Sequence, residues 1–308
     1  MAKQKKRATL EDFKERLEAI NPELFKMLSE PKSHFSFRIN RNRADVESVV
    51  KKLKEEGFEP QALSWIDEAF VLPIEQREAL VKSSPYSAKE IYIQNLSSIF
   101  AAHALRVTKS DWVLDLAAAP GGKSLIFSEK AKKVSAVEPD KSRFFMMKRN
   151  FKESLAKNIQ TYNKDGRFIY KACPELFDAV FLDAPCSSEA HIDIDKGITW
   201  WSPRRIYKFA KLQKELIVSA FESLKSGGEM IYATCTFAPE ENEAVVNYLL
   251  KKYPNAKLLP IKHNFKNIQE GLTKWQEEAY SSELSKTLRF LPHGAFSGFY
   301  MAKIKKNV

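Results

Sequence analysis

From Trp112 onward, short apolar runs alternate with longer stretches of helical period, and this alternation restricts the chain to a small set of folds. Runs typical of buried strands fall at 113–116, 133–137, 159–162, 179–182, 229–234, 287–291 and 298–304. Helical stretches separate most of them, at 123–130, 140–155, 203–224 and 239–252. Strands that alternate with helices build parallel sheets covered on both faces. We therefore predict an α/β fold with a doubly wound, mostly parallel, Rossmann-like sheet.

The chain before this region predicts a small α+β unit in residues 1–84, ahead of the main domain in residues 85–308. Its expected elements are two short helices within 10–28, a strand at 34–40, a helix at 44–56 and a strand at 69–72. The motif PYSAK, residues 85–89, is interpreted as the boundary. The strand HFSFRIN carries Arg38, and two interpretations remain open: the basic strand contacts RNA, or it is half-buried with its arginine in solvent.

The balance of charge favours a polyanionic partner. Lys and Arg number 50 against 39 Asp and Glu, which gives a net charge of +11, and such an excess is typical of nucleic-acid binding. Basic residues cluster at 3–7 (KQKKR), 38–43 (RINRNR) and 303–306 (KIKK). The alternatives are that the excess serves solubility and that both tails are frayed and solvated.

Composition also excludes several classes of protein. The chain has no run of 18 apolar residues and no apolar segment behind its basic N-terminus, so we expect neither a membrane span nor a secretory signal. The three cysteines, Cys173, Cys186 and Cys235, are too few and too scattered for a disulfide framework or a zinc site. We therefore predict a cytoplasmic protein with reduced thiols and no metal, and we expect a monomer.

The stretch WVLDLAAAPGGK, residues 112–123, joins the first strand of the main sheet to a helix through a turn of small residues. A strand, a glycine turn and a helix N-terminus in this order bring several backbone N–H groups to one side, where they suit an anionic or nucleotide-like ligand. The spacing is not GxGxxG, so a dinucleotide is not implied. The turn is a candidate cofactor loop, unless Gly121 and Gly122 only close a tight βα connection.

Polar residues follow the strands at the edge of the sheet where such folds bind ligands. Glu138 follows the second strand, in the place where an acid commonly binds a ribose diol, and Asp165 follows the third. Asp183 and Cys186 follow the fourth strand, and Cys235 follows the fifth. Each has an ordinary structural alternative, the acids as helix caps or turn residues and Cys235 as a small buried hydrophobe. Because they come at successive strand ends, together they predict one site.

Several motifs of the chain resemble those of a known family. The motifs DLAAAPGGKS, AVEPD, NKDGR, FDAVFLDAPCS and YATCTFAPEENEAVV look like those of the Sun (Fmu) family of S-adenosylmethionine-dependent RNA cytosine-5 methyltransferases. The resemblance covers most of the chain, and the paired PC and TC cysteines are its most specific part. WSPRRIYKFAKLQKELIVSAF and TCTFAPEENEAVV are most similar to the bacterial branch that modifies small-subunit ribosomal RNA. The resemblance implies S-adenosylmethionine as cofactor, RNA as partner and the N-terminal unit as an RNA-binding extension.

The resemblance also implies roles for individual residues. Cys235 matches the family's nucleophile, and Cys186 the second cysteine, which helps the enzyme leave its product. Asp183 would lie between the cofactor and the target base. Residues 117–123 would bind the methionine part of the cofactor, Glu138 its ribose hydroxyls and Asp165 its adenine edge. The residues implied in cofactor binding are Ala117, Ala118, Ala119, Pro120, Gly121, Gly122, Lys123, Glu138, Asp165 and Asp183.

The chemistry of cytosine explains why these residue types are needed. Carbon 5 is a poor nucleophile, so a thiolate must first add to carbon 6, which makes carbon 5 able to attack a sulfonium methyl group. Hydrogen bonds from a protonated Asp183 or from Lys123, near N3 and the exocyclic amine, would offset charge on the ring. The carbon 5 proton must then leave and Cys235 must be eliminated. Cys186 is the nearest titratable candidate for the base.

Two departures from the family pattern matter, the first for the position of Cys186 and the second for substrate choice. The loop after the first cysteine reads CSSEAHID, with Ser188 and Ala190 in place of glycines, so we expect a stiffer loop. No long extension follows Ile304, so we expect no C-terminal RNA-binding domain.

Trp200 and Trp201 either stack on RNA bases or pack against the sheet, and packing is favoured.

We predict a cytosine-5 methyltransferase of structured RNA, with ribosomal RNA (16S) favoured over transfer RNA. Three alternatives stay open. One is a minimal transfer RNA methyltransferase, and another is a non-catalytic ribosome assembly factor with the same fold, in which both cysteines would be expendable. The third is a methyltransferase of small molecules or proteins, which would leave the basic excess unexplained.

Overall fold

The computed structural model describes residues 8–308, so the predicted basic cluster at residues 3–7 lies outside the described residues. The helices are α1 (Leu10–Ile20), α2 (Leu24–Ser29), α3 (Val46–Glu55), α4 (Arg77–Lys82), α5 (Ser84–Ser87), α6 (Leu96–Ala104), α7 (Gly122–Ser128), α8 (Lys141–Glu153), α9 (Ile169–Ala172), α10 (Pro203–Ser223) and α11 (Glu243–Lys252). The strands are β1 (His34–Ile39), β2 (Gln61–Leu63), β3 (Ile66–Pro73), β4 (Ile91–Ile93), β5 (Trp112–Asp115), β6 (Lys133–Val137), β7 (Ile159–Tyr162), β8 (Phe177–Asp183), β9 (Leu224–Thr234), β10 (Ala256–Leu259), β11 (Ile268–Glu270), β12 (Lys274–Trp275), β13 (Glu278–Ala279), β14 (Leu288–Phe290) and β15 (Phe299–Lys306).

The main sheet confirms the predicted α/β fold class. Its parallel strands run in the order β7-β6-β5-β8-β9, and β15 continues the sheet antiparallel to β9, followed by β14 and β11. Strand β10 pairs with the C-terminal half of β15. Apolar side chains of α1, α10 and α11 cover one face of the sheet, while those of α6 and α7 cover the other. Two buried faces explain why β5, β6 and β8 are almost continuous apolar runs.

The order of the strands reverses at β5. The chain moves from β5 outward through β6 to β7, then returns to the other side of β5 with β8 and β9. The loops after β5 and β8 therefore leave the sheet in opposite directions and open a crevice at their carboxyl ends, which is where doubly wound folds bind ligands.

A second, antiparallel sheet in the order β2-β3-β1-β4 forms the small N-terminal unit. It has its own core, which includes Phe37, Val49 and Leu72. This sheet continues past residue 84, because PYSAK forms α5 and a turn that leads into β4. Helices α1 and α2 belong instead to the core of the main sheet, into which Phe13 inserts. The division at residues 84 and 85 stays a prediction.

Arg38 corrects the interpretation of the basic strand β1. The side chain is fully buried, so it contacts neither RNA nor solvent. Its guanidinium donates to Glu129 Oε1 (2.8 Å), to Gln94 Oε1 (3.1 Å) and to the backbone carbonyl of Gly122 (3.2 Å). The polar face of β1 therefore packs against the main domain, immediately behind the candidate cofactor loop.

The C-terminal basic cluster is also part of the packed structure. Residues 303–306 lie in β15, so the alternative of a frayed tail is wrong at this end of the described chain. Lys303 donates to the carbonyl of Ala104 and pairs with Glu229, while Lys306 donates to the carbonyl of Leu224. These charges are paired within the fold. Within residues 8–308, no helix combines the length and apolar character that a membrane span requires.

Candidate active site

A cavity of about 480 Å³ lies in the crevice at the carboxyl ends of β5, β6 and β8. It brings together all five strand-end residues that the sequence singled out: Glu138, Asp165, Asp183, Cys186 and Cys235. Apolar side chains from α10, among them Leu212 and Leu216, form one wall. The convergence follows from the parallel order of the strands, because their carboxyl ends meet at one edge.

The loop at residues 117–122 follows β5 and has little room for larger side chains. Gly121 has φ +107°, and a Cβ built there would lie 2.5 Å from a ring carbon of Phe151, so both conformation and space require glycine. Arg143 donates to the carbonyl of Ala119 (2.7 Å), and Asn150 donates to that of Pro120 (2.8 Å). Ala117 and Ala119 line the cavity, whereas Ala118, Gly121 and Gly122 are buried within the loop.

The two acids after β6 and β7 both line the cavity but have different partners. Glu138 is buried, accepts from the backbone N–H of Asp140 (3.0 Å) and pairs with Arg143 at 3.4 Å. Asp165 caps a short 3₁₀ turn and accepts side-chain hydrogen bonds from Arg167 at 2.7–3.1 Å, and these bonds lower its pKa. The helix-cap alternative therefore holds for Asp165, which also lines the cavity.

Asp183 and Lys123 form an ion pair at the centre of the site, with Lys123 Nζ 2.5 Å from Asp183 Oδ2. Burial opposes the charged ammonium, but the charges of Asp183, Asp115 and Cys235 together raise the pKa of Lys123 above its ordinary value. Below them, burial raises the pKa of Asp115 to about 6, although the Ser124 hydroxyl donates to it at 2.5 Å. Lys123 is thus a positive hydrogen-bond donor that faces the cavity wall formed by Asp183.

The two cysteine sulfurs, Cys186 Sγ and Cys235 Sγ, lie 3.3 Å apart, and both thiols are free. Because the S–H of Cys186 donates to Cys235, the pKa of Cys235 falls well below its usual value, with a further contribution from His191 and in opposition to burial. The same hydrogen bond, together with burial, raises the pKa of Cys186 well above its usual value. These opposite shifts favour a thiolate at 235 beside a thiol at 186, which is the protonation state that a sulfur nucleophile requires.

Buried carboxylates fix the loops that carry the cysteines. Glu241 accepts from the backbone N–H of Ser187 (2.9 Å) and from Gln213 Nε2 (2.8 Å). Burial raises the pKa of Glu241 to about 8. Glu243, on the first turn of α11, forms a buried bidentate pair with Arg289. The motif TCTFAPEENEAVV indicated Cys235 as a site residue, whereas the partners of its acids Glu241 and Glu243 follow only from the folded structure.

The loop CSSEAHID also contains two residues that the sequence analysis did not select. Glu189 is fully buried and accepts from Trp201 Nε1 (2.7 Å), Thr236 Oγ1 (2.9 Å) and the N–H of Phe237 (3.1 Å). His191 interacts with Cys235, and this interaction raises the pKa of His191 above its usual value. Neither residue belongs to a spacing motif, so the only signal in the sequence was the departure of this loop from the glycine-rich family pattern.

The two tryptophans after this loop have different environments. Trp201 is buried and packs edge-on against Phe13 with ring centroids 5.0 Å apart, as the favoured interpretation expected. Trp200 is 40% exposed, with the guanidinium of Arg205 5.2 Å from its ring centre. The prediction of packing is thus confirmed for Trp201 and wrong for Trp200.

Comparisons with known sequences agree with this geometry. The sequence model of the family described as 16S rRNA methyltransferase RsmB/F matches residues 102–305. A curated relative named Ribosomal RNA small subunit methyltransferase F, from Aliivibrio fischeri (strain MJ11), is 32% identical over 282 residues, 88% of this chain and 58% of the relative. A relative of the same name from Pectobacterium carotovorum is 34% identical over 229 residues, 72% of this chain and 47% of the relative. The chain spans about half the length of the curated relatives it matches.

Solved structures resemble the whole described chain. A methyltransferase homolog protein from Pyrococcus horikoshii is 28% identical, with a TM-score of 0.80 over 96% of this chain and 94% of that one. NSun6 from Pyrococcus horikoshii with SFG is 22% identical, with a TM-score of 0.78 over 95% of this chain and 97% of that one, and this likeness shows the fold alone. The arrangement of a small N-terminal unit beside the main sheet is therefore shared with other proteins.

Proposed function

Because the chain belongs to the 16S rRNA methyltransferase RsmB/F family, we propose that it transfers a methyl group from S-adenosylmethionine to carbon 5 of a cytosine in structured RNA, through a covalent adduct with Cys235. Family membership confirms the resemblance seen in the sequence and S-adenosylmethionine as the cofactor. Ribosomal RNA is the favoured substrate, since the curated relatives carry the name of a ribosomal RNA methyltransferase. The observation that carries the proposal is the pair of sulfurs 3.3 Å apart in a cavity that also contains Glu138 and Asp183.

The cavity fits S-adenosylmethionine in size and chemistry. Its volume of about 480 Å³ is in the range of small-molecule sites. The buried carboxylate of Glu138 provides acceptors for ribose hydroxyls, Ala117 and Ala119 line the end assigned to the methionine part, and Asp165 is the acid assigned to the adenine edge. When bound, the cofactor supplies an electrophilic methyl group on a sulfonium.

Cys235 performs the activating step. Its sulfur lone pair forms a bond to carbon 6 of cytosine, the ring double bond shifts its electrons toward carbon 5, and carbon 5 becomes nucleophilic. The lowered pKa of Cys235 supports this role, because it increases the fraction of the side chain that is a thiolate. Lys123 or a protonated Asp183 would donate hydrogen bonds to the ring and offset the developing negative charge; their ion pair beside the cavity supports this role.

Cys186 has two successive roles in this proposal. In the resting site its S–H donates to the Cys235 thiolate, which is why its pKa is raised. Once Cys235 has bonded to carbon 6, the negative charge that opposed deprotonation of Cys186 is gone. Cys186 then releases its proton to water and, as a thiolate, accepts the carbon 5 proton. The electrons of the broken C–H bond re-form the ring double bond, the bond from Cys235 to carbon 6 breaks, and its electrons return to sulfur.

Access to carbon 5 requires the base to leave the helical stack. Unstacking costs a few kcal/mol, and phosphate contacts made by a chain with a net charge of +11 would offset this cost. Binding should therefore weaken steeply as salt increases. The positive net charge therefore agrees with RNA as the partner.

Bisulfite sequencing of total RNA from cells with and without the gene tests the proposal. We expect one cytosine to lose its methyl group in the deletion strain and to regain it with wild-type protein or with Cys173→Ala. Cys173 is the matched control, since it is a free cysteine outside the cavity that contains the other two. Cys235→Ala should not restore the site.

The outcomes separate the alternatives. A lost site in transfer RNA would reassign the substrate and keep the chemistry. Restoration by Cys235→Ala would contradict the covalent mechanism. A deletion strain that loses no methylated cytosine would contradict the proposal and favour an assembly factor.

A trapping experiment tests the second cysteine. Purified Cys186→Ala mixed with RNA and S-adenosylmethionine should accumulate a protein–RNA adduct that survives denaturing electrophoresis, whereas the double variant Cys186→Ala/Cys235→Ala should not. Absence of an adduct with Cys186→Ala would contradict the release role given to Cys186.

A further inference from the structure

His191 lies in the loop between β8 and α10, beside the turn that carries Cys235. Its side chain interacts electrostatically with that of Cys235, and His191 is partly exposed to solvent. The backbone on both sides is fixed: the N–H of Ala190 donates to the carbonyl of Cys235 (3.2 Å), and the N–H of His191 donates to the carbonyl of Ser188 (3.0 Å). The imidazole is therefore placed next to the reactive sulfur by its own loop.

The loop has little freedom to move the imidazole away. Its buried Glu189 accepts from Thr236 Oγ1 and from the N–H of Phe237, both of which lie in the turn that follows Cys235. Ser188 adopts a left-handed conformation with φ +61°, and its hydroxyl lies 3.7 Å from Cys235 Sγ. The segments that carry His191 and Cys235 thus share buried hydrogen bonds, so the two side chains are positioned as a unit.

We propose that His191 is the acid–base partner of Cys235, a proposal that rests on the methyltransferase function given above. In the free protein the S–H bond of Cys235 breaks, an N–H bond forms on the imidazole, and the electron pair stays on sulfur as the nucleophile. When Cys235 is eliminated from the product, the electrons return to sulfur beside the same imidazolium. This is the arrangement of a thiolate activated by an adjacent base.

The charges around the ring agree with this role. Interaction with Cys235 raises the pKa of His191 above its ordinary value, although burial and the charge of Lys32 act in the opposite direction, and Asp183 adds to the increase. On the sulfur side, the S–H of Cys186 and then His191 lower the pKa of Cys235, while burial and Asp183 oppose them. The imidazolium–thiolate pair is thus supported from both partners.

Other groups near the sulfur are less suited to accept the proton. Lys123 is already an ammonium and pairs with Asp183 at 2.5 Å. Cys186 is a donor to the thiolate. Glu189 is directed toward Trp201 and Thr236, away from both sulfurs.

The pH dependence of Cys235 alkylation tests this pairing without RNA or cofactor. The full-length protein is treated with iodoacetamide between pH 5 and 10, and modification of the Cys235 peptide is followed by mass spectrometry. We expect His191→Gln and His191→Asn to move the midpoint upward by about one to three pH units, the effect of losing an adjacent opposite charge. His293→Gln is the matched control at an exposed histidine outside the cavity, and it should leave the midpoint unchanged.

An unchanged midpoint in both His191 variants, with unchanged thermal unfolding, would overturn the proposal. Methyl transfer gives a second readout: the acid limb of the kcat profile should shift with His191→Gln, while KM for RNA stays within about twofold of the wild type. A shifted alkylation midpoint in a protein that methylates no RNA would keep the His191–Cys235 pair and reject the proposed function. The two proposals can therefore fail separately.

Discussion

The two sides of the cavity are built from different kinds of contact. On the cofactor side, formed by the loops after β5, β6 and β7, Glu138 is bound by a backbone N–H and by Arg143, whose side chain is 50% exposed. On the cysteine side, formed by the loops after β8 and β9, Glu189 and Glu241 are fully buried and accept hydrogen bonds from the loops themselves. A half-exposed side chain thus borders the cofactor side, whereas buried hydrogen bonds fix the loops of the cysteine side.

This difference corresponds to what each side must do. A small-molecule cofactor enters and leaves, so an acid whose pairing with the half-exposed Arg143 can be exchanged suits its site. The cysteine side must keep two sulfurs at 3.3 Å in opposite protonation states. Buried charged hydrogen bonds are costly to break, because a partner left alone stays desolvated. We infer that the contacts on the cofactor side are exchangeable, whereas those on the cysteine side are rigid.

The largest expected effect comes from removing the nucleophile on the rigid side. Cys235→Ala should lower kcat by about 10⁴-fold or more, since loss of a covalent catalyst removes most of the activation. Binding of S-adenosylmethionine, measured by calorimetry, should change less than about twofold. A large loss of cofactor affinity in this variant would break the division between the two sides.

The second largest effect is expected for Arg38, which lies behind the cofactor loop. Unlike Arg143 on the same side, Arg38 is fully buried. Arg38→Met leaves Glu129 buried without its partner and should lower the free energy of unfolding by roughly 3–5 kcal/mol. Arg43→Met is the control, because this exposed arginine bonds only the carbonyl of Glu153 among its described hydrogen bonds, and it should cost less than about 1 kcal/mol. Chemical denaturation measures both. Equal costs would show that Arg38 does not support the cofactor loop.

Glu241 gives the rigid side a pH-dependent stability. Its pKa in the folded protein is about 8, above the ordinary value of 4.5, so the folded state binds more protons than the unfolded state between these values. The contribution of Glu241 to the free energy of unfolding is therefore fully present below pH 4.5 and is lost as pH rises through 8. From pH 6 to 9, Glu241→Gln should remove roughly 2–3 kcal/mol of the wild-type decrease, measured by urea unfolding at each pH. Parallel pH profiles for the two proteins would contradict this assignment.

The smallest effect is expected on the exchangeable side. Glu138→Gln keeps the size of the side chain and removes one charged acceptor, so the Kd for S-adenosylmethionine should rise by about 10-fold, or about 1.4 kcal/mol. The pH midpoint of Cys235 alkylation should not move. A shifted midpoint would mean that the charge of Glu138 acts on Cys235. The two sides would then differ in degree and would not be electrostatically independent.

Sequence patterns were most informative for the main sheet. The strands predicted at 133–137 and 159–162 have those bounds in the structure, and the helix predicted at 203–224 is α10. Short edge elements escaped prediction, including β2, β4 and β10–β13, because two to four residues are too few to show a period. Arg38 was misinterpreted for a related reason: alternation identifies the polar face of a strand but not what packs against that face.

The sequence by itself determined that Glu138, Asp165, Asp183, Cys186 and Cys235 meet. Each follows a strand of one sheet, and strand periodicity is a local property that the sequence carries directly. Only the tertiary structure decided that the pKa of Cys235 is lowered while that of Cys186 is raised, that His191 lies beside Cys235 and that Arg38 supports the cofactor loop. The cysteines are 49 residues apart in the chain, and Arg38 and Glu129 are 91 apart. Protonation and ion pairing depend on burial and on which distant groups lie within a few ångströms, and both are set only when the chain has packed.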